Sequence, residues 1–132
     1  MYGTDPTPMQ LLTPDQREQL LANGRQSGLD HFPVAKFFNP VGIGMWLATE
    51  IDADNDTCFG LAGLGFPELG SFSLEELATL ELPFGMHTER DVFFAGAFPI
   101  SAYAEAARET GSITAAIRIL SNAARARRGE GA

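Results

Sequence analysis

The sequence predicts an α+β domain: an antiparallel sheet of four to five strands with three to four helices packed mainly on one face. Three observations carry that expectation. Helix-start signals stand at Thr13-Pro14-Asp15-Gln16, at Ser73-Leu74-Glu75-Glu76 and at Ser112. The run from Ile43 to Ile51 alternates with period two. The order of segments is helix first, then strands with helices interspersed, which suits α+β better than a doubly wound sheet.

The elements follow in chain order. Thr13 can cap a first helix, Pro14 tolerates its first position and Gln16 can close a capping box. Leu20 and Leu21 give it an apolar side, Leu11 or Leu12 can staple its start, and Asn23-Gly24 supplies a left-handed stop. Val34 to Phe38 reads as a strand ended by Asn39-Pro40. In the next strand, Ile43, Met45, Leu47, Thr49 and Ile51 alternate with Gly44, Trp46, Ala48 and Glu50. The segment Asp52 to Asp56 breaks it, and Thr57 to Leu64 resumes with Phe59 and Leu61 on one side, so the pair reads as an antiparallel hairpin with an acidic loop. A short helix from Ser73 to about Leu80 is ended by Pro83 and Gly85. Asp91 to Phe98, rich in aromatics, reads as a further strand. Ser101 caps an alanine-rich helix that Gly111 ends. Ser112 starts a last helix with Ile113, Ala116, Ile117, Leu120 and Ala124 at helical spacing.

The 132 residues suit one domain, read as a flexible leader over residues 1–10, a single α+β domain over 11–124 and a frayed basic tail over 125–132. Cys58 is the sole cysteine, which excludes an intrachain disulfide and fits a reducing, cytoplasmic setting. No apolar run approaches a membrane span, and MYGTDPTPMQ lacks the pattern of a secretion signal. Charge is the most uneven property. The formal net charge is −8, and no basic residue stands between Lys36 and Arg90, an interval holding Glu50, Asp52, Asp54, Asp56, Glu68, Glu75, Glu76, Glu81 and Glu89. The C-terminal stretch reverses sign with Arg118, Arg125, Arg127 and Arg128. An acidic middle repels phosphate backbones and attracts basic protein surfaces.

Several motifs are excluded by spacing. Gly60, Gly63 and Gly65 reverse the order of a dinucleotide fingerprint, and Phe66-Pro67 follows instead of a helix start. No lysine follows Phe37, so no P-loop is present. These glycines are read as devices for bulges, positive φ and close backbone packing, with Gly70 as a sharp turn before Ser73. Asp52, Asp54 and Asp56 match the first positions of a calcium loop, but Thr57 and Gly63 stand where glycine and glutamate are needed. His87-Thr88-Glu89 matches half of a zinc deaminase pattern whose cysteine half is absent, and His31, His87 and Cys58 lack paired metal spacing. No metal, cofactor or catalytic residue is assigned. Arg90 stands alone as a cation and is expected to pair with Glu50 or Glu68. Trp46 is read as a core residue of a second layer, with an exposed binding anchor as the alternative.

The segments LLTPDQREQLLANG, DHFPVAKFF, MWLATEID, FGLAGLGFPELGSFSLEEL, ERDVFF and SAYAEAAR together resemble the family known as domain of unknown function 2958. The likeness runs from about Leu11 to Arg108 and is densest over FGLAGLGFPELGSFSLEEL followed by ERD. Family positions present here include Trp46, Glu50, Asp52, Gly60, Gly65, Pro67, Glu68, Gly70, Glu89, Arg90 and Asp91. The resemblance implies a small bacterial protein carried on conjugative plasmids and integrative elements. It brings no catalytic motif.

Three functions are open at this point. The first is a non-catalytic accessory protein of a mobile element, binding a basic surface of a host or element protein through Glu50, Asp52, Asp54, Asp56, Glu68, Glu89, Arg90 and Asp91. Its sharper version is a defence inhibitor that imitates DNA phosphates. The second is a small enzyme using Glu50, Glu68, Glu89, Arg90 or Asp91 in a cleft at the sheet edge. The third is nucleic-acid binding through the arginine tail, which lacks stacking aromatics in its own sequence. Oligomeric state is not legible.

Overall fold

The computed structural model of the chain describes residues 10–129. The expected leader, apart from Gln10, and residues 130–132 lie outside the described residues. Five strands form one antiparallel sheet: β1 (Ala35–Phe38), β2 (Met45–Ile51), β3 (Thr57–Gly63), β4 (Pro67–Ser73) and β5 (Glu89–Arg90), in the order β4-β3-β2-β1-β5. Four helices accompany it: α1 (Pro14–Gly24), α2 (Leu74–Thr79), α3 (Ile100–Thr110) and α4 (Ile113–Arg127). The α+β class, the strand count and the helix count agree with the sequence reading.

The helix starts obey their local chemistry. Thr13 accepts from the Gln16 amide at 3.1 Å, and the Gln16 side chain accepts from the Thr13 amide at 3.0 Å, closing the capping box. Ser73 and Ser112 likewise accept from Glu76 and Ala115. Gly111 ends α3 in the left-handed region, at φ 76°. α3, however, is not capped by Ser101. Its N-cap is Pro99, which has no hydroxyl, and the Asp30 carboxylate instead accepts from the Ser101 amide and hydroxyl. A distant acid thus fills the role that sequence assigned to a local serine.

Three local expectations are corrected. Pro67 to Ser73 is a strand and not a loop, and Gly70 is a ladder residue opposite Gly60 and not a turn. Pro67 opens this edge strand, where its missing N–H costs the sheet nothing. Asp91 to Phe98 is not a strand. β5 stops at Arg90 because the Asp91 side chain accepts from the Phe93 amide at 2.9 Å and its carbonyl accepts from Phe94, turning the chain away from β1. Gly24 does not adopt a left-handed stop. It lies within α1, where a Cβ would collide with the Ile51 carbonyl, so it serves close helix–sheet approach.

Both faces of the sheet are covered, which differs from the packing mainly on one face expected above. Trp46 and Ala48 pack with Ala35, Phe37, Ile51 and Cys58 beneath Leu20 of α1 and Leu74 and Leu77 of α2. Leu47 and Leu61 point the other way, under Tyr103, Ala104 and Ala107 of α3 and Ile113 and Ala116 of α4. A bulge explains part of the difference. The β2–β3 register shifts between Ala48 and Glu50, and the extra residue, Thr49, donates from its hydroxyl to the Phe59 carbonyl at 3.1 Å. The shift moves Ile51 onto the Trp46 face and Glu50 onto the Leu61 face, inverting the alternation read from sequence. Trp46 is 5% exposed and belongs to the core. Among the described residues, no helix is long and apolar enough to cross a membrane.

Candidate partner-binding face

The eight residues singled out from sequence do not form one surface. Glu68 lies on edge strand β4, while Glu89 and Arg90 form β5 at the opposite edge, followed directly by Asp91. Four inter-strand steps separate the two edges, about 19 Å at ordinary strand spacing. The expected Arg90–Glu68 pair is thereby excluded, and the Arg90 guanidinium donates to the Gln10 carbonyl at 2.6 Å. Lys36 pairs with Asp91 at 3.1 Å. Burial works against the Asp91 charge, but the Phe93 amide and the Lys36 ammonium outweigh it and hold the carboxyl below its usual range. Glu50, Glu68, Glu89, Arg90 and Asp91 therefore do not converge in a cleft as the enzyme reading requires.

Glu50 is 8% exposed, on the face of the sheet that α3 and α4 cover. Burial raises its pKa, with His31 opposing and Asp52 adding to the rise. The consequence for stability has a definite sign. A carboxyl whose folded pKa exceeds its unfolded value penalises folding once ionised, so the penalty is absent below about pH 4 and grows as pH rises from there. Glu50→Gln is expected to raise the melting temperature at pH 7, with the gain shrinking toward pH 4. A parallel pair of thermal unfolding curves at the two pH values checks it.

The acidic loop between β2 and β3 is a built structure. Asp54 accepts from the Asp56 and Thr57 amides, each at 2.9 Å, and from the Thr57 hydroxyl at 2.6 Å. These hydrogen bonds, the Thr57 hydroxyl first, lower its pKa and keep it ionised. Asn55 takes the left-handed conformation at φ 62°, tolerable for an asparagine. Its carbonyl and side chain accept from the Arg17 guanidinium at 3.2 and 2.8 Å. Asp56 accepts from the Ser73 hydroxyl at 2.7 Å and from the Glu75 amide at 2.8 Å, so it caps α2 from outside. Oxygens that a calcium loop would turn inward are thus engaged with the loop's own amides and with α2. Among the described residues, no group of three or more His, Cys, Asp or Glu side chains could hold a metal ion. Cys58 is fully buried and its thiol is pushed up to about 12, by burial first and then by Asp56.

These tethers draw α1, the loop and α2 to one end of the molecule, and a groove of about 660 Å³ opens between them. Leu11, Leu12, Leu74 and Ala78 supply its apolar part, and Arg17, Asn55, Asp56 and Glu75 its polar part. Asp56 and Glu75 are the acids that line it, while Asp15 and Glu18 of α1, Asp52 and Asp54 of the loop, and Glu76 of α2 are exposed on the same three elements without lining it. Of the residues expected from sequence, this face keeps Asp52, Asp54 and Asp56. Sequence reasoning did not bring in Asp15, Glu18, Glu75 or Glu76. The signal was present: acids in first helical turns at Asp15, Glu75 and Glu76. Nothing local announced that α1 and α2 share one face.

No curated protein and no solved structure matches the chain. One family profile, described as a protein of unknown function (DUF2958), matches residues 11–114, somewhat beyond the segment over which the resemblance was seen. That span takes in the sheet, every groove-lining residue except Gln10, and the first two residues of α4, and the chain belongs to the DUF2958 family.

Proposed function

We propose that the chain is a non-catalytic accessory protein whose acidic face docks on the basic surface of a protein partner. The observation that carries this reading is a partly apolar groove lined by Asp56 and Glu75, formed by three elements that also expose Asp15, Glu18, Asp52, Asp54 and Glu76. Such a groove suits a lysine or arginine side chain: the stem covers Leu11 and Leu74, and the charged head meets Asp56 and Glu75. The bonds that hold Asp54 and Asp56 in place support a preorganised surface, whose charges need little reordering on association. We take the partner to be a protein of a mobile genetic element or of its bacterial host, met in the cytoplasm. Inhibition of a defence protein by imitation of DNA phosphates is the sharper form of this proposal.

The test compares two variants of equal charge change. One carries Asp15→Asn, Glu18→Gln, Glu75→Gln and Glu76→Gln. The other carries Glu68→Gln, Glu89→Gln, Glu105→Gln and Glu109→Gln. Partners captured from a bacterial lysate are quantified by mass spectrometry. The first variant is expected to lose its specific partners by about 10-fold or more, the loss expected of removed charge complementarity, while the second keeps them. Equal retention by both, or equal loss by both, contradicts the proposal.

A further inference from the structure

The far side of the molecule has the opposite chemistry. α4 carries Arg118, Arg125 and Arg127, with Arg128 as its C-cap, and has no acidic residue. The helix persists to Arg127, further than the sequence reading placed its end. Arg118, Ser121, Arg125 and Arg128 recur at steps of three and four residues and are exposed, so they form one stripe along the helix. Two clefts, of about 740 and 480 Å³, flank its C-terminal half. Both are lined by Gly96, Ala97, Ala124 and Arg128, so they adjoin at these residues and together make a two-part trough between α4 and the 91–99 loop.

The trough is aromatic as well as basic. Phe32 and Phe98 line one part, Phe93 and Phe94 the other. The Arg127 guanidinium already lies over the Phe98 ring, 5.3 Å from its centroid. Phe93 is 93% exposed, an uncovered ring beside a cationic helix. Asp91, the one acid in the lining, is engaged by Lys36 and by the Phe93 amide. Glu105 and Glu109 of neighbouring α3 do not line either cleft; nor does Arg118, which extends the exposed stripe one step beyond the lining residue Ser121. Stacking aromatics, missing from the local sequence of the tail, are thus supplied by residues about 30 and 90 positions upstream, at Phe93 and Phe32.

We propose that this trough binds single-stranded nucleic acid, with phosphates along the Arg118–Arg125–Arg128 stripe and an unpaired base stacked on Phe93. An exposed ring favours this ligand over a duplex, whose bases are already stacked. It also favours it over an acidic protein segment, which would use the arginines and leave the ring unused. The proposal is independent of the acidic face and stands or falls separately.

Fluorescence anisotropy decides it, using labelled oligodeoxyuridylate and oligouridylate of one length, a duplex of that length, and polyglutamate as competitor, at about 50 mM salt. A single strand is expected to bind more tightly than the duplex, and the tighter of the two single strands identifies DNA or RNA as the source. Arg118→Gln with Arg125→Gln is expected to weaken binding about 10-fold or more and to reduce the slope of log affinity against log salt by about 1.4. Phe93→Ala is expected to weaken it about 5-fold or more. Because Phe93 is so exposed, its removal leaves the core untouched, which circular dichroism verifies. Absence of single-strand binding at this salt, or an inert Phe93→Ala, overturns the proposal. So does competition by polyglutamate at equal charge, which would mark an acidic protein segment as the ligand.

Discussion

Gly60→Ala is expected to destabilise the protein by about 3 kcal/mol or more, while Gly70→Ala changes stability by less than about 1 kcal/mol. The two glycines are direct cross-strand partners in the β3–β4 ladder, so the contrast isolates surroundings from secondary structure. A Cβ on Gly60 would run into the Leu47 carbonyl oxygen and come within 2.8 Å of the Leu47 carbonyl carbon. Those are backbone atoms of β2, the central strand, and they cannot swing aside as a flexible side chain would. A Cβ on Gly70 meets nothing within 4 Å. There, alanine also reduces the freedom of the unfolded chain, which offsets part of any loss. Urea unfolding followed by the fluorescence of Trp46, the sole tryptophan, measures both variants. Equal losses from the two would remove close backbone approach as the reason for the glycine at 60.

Trp46→Ala is expected to cost about 3–5 kcal/mol, a large share of the 5–15 kcal/mol that usually holds a domain together. The indole is 5% exposed and packs in the core that joins β1, β2 and β3 to α1 and α2. Removing it leaves a cavity between the sheet and the helices that shape the candidate face, so groove and stability fail together. Trp46→Phe fills most of that volume and is expected to recover the greater part of the loss. Unfolding monitored by far-ultraviolet circular dichroism measures both. A Trp46→Ala protein of unchanged stability would assign the ring to a surface role instead.

Where the determinants are local, the sequence was readable. The capping box at Thr13 and Gln16, the serine caps at Ser73 and Ser112, and the glycine stop at Gly111 all depend on residues three or four apart. The hairpin of β2 and β3 was readable for the same reason. β4 was not, because Pro67 and Gly70 look like loop residues unless the strand is known to sit at an edge beside Gly60. Asp91 to Phe98 misled in the other direction. Its aromatics resemble a strand, yet Phe93 faces solvent and Phe94 packs near Tyr103 at a centroid distance of 6.5 Å. The bulge at Thr49 has no sequence signature, and with it went the facing of Glu50 and Ile51. The candidate site suffered most. Its acids come from α1, a hairpin loop and α2, and only tertiary tethers such as Arg17 to Asn55 and Asp56 to Ser73 bring them together.

Carboxylate labelling with a carbodiimide and glycine ethyl ester, read by mass spectrometry with and without the captured partner, shows which acids the partner covers. Protection is expected at Asp15, Glu18, Asp52, Glu75 and Glu76, with Glu68, Glu105 and Glu109 labelled equally in both states. Protection confined to Glu68 or to the α3 acids, with those on α1, the loop and α2 still open to reagent, would contradict the proposed docking face.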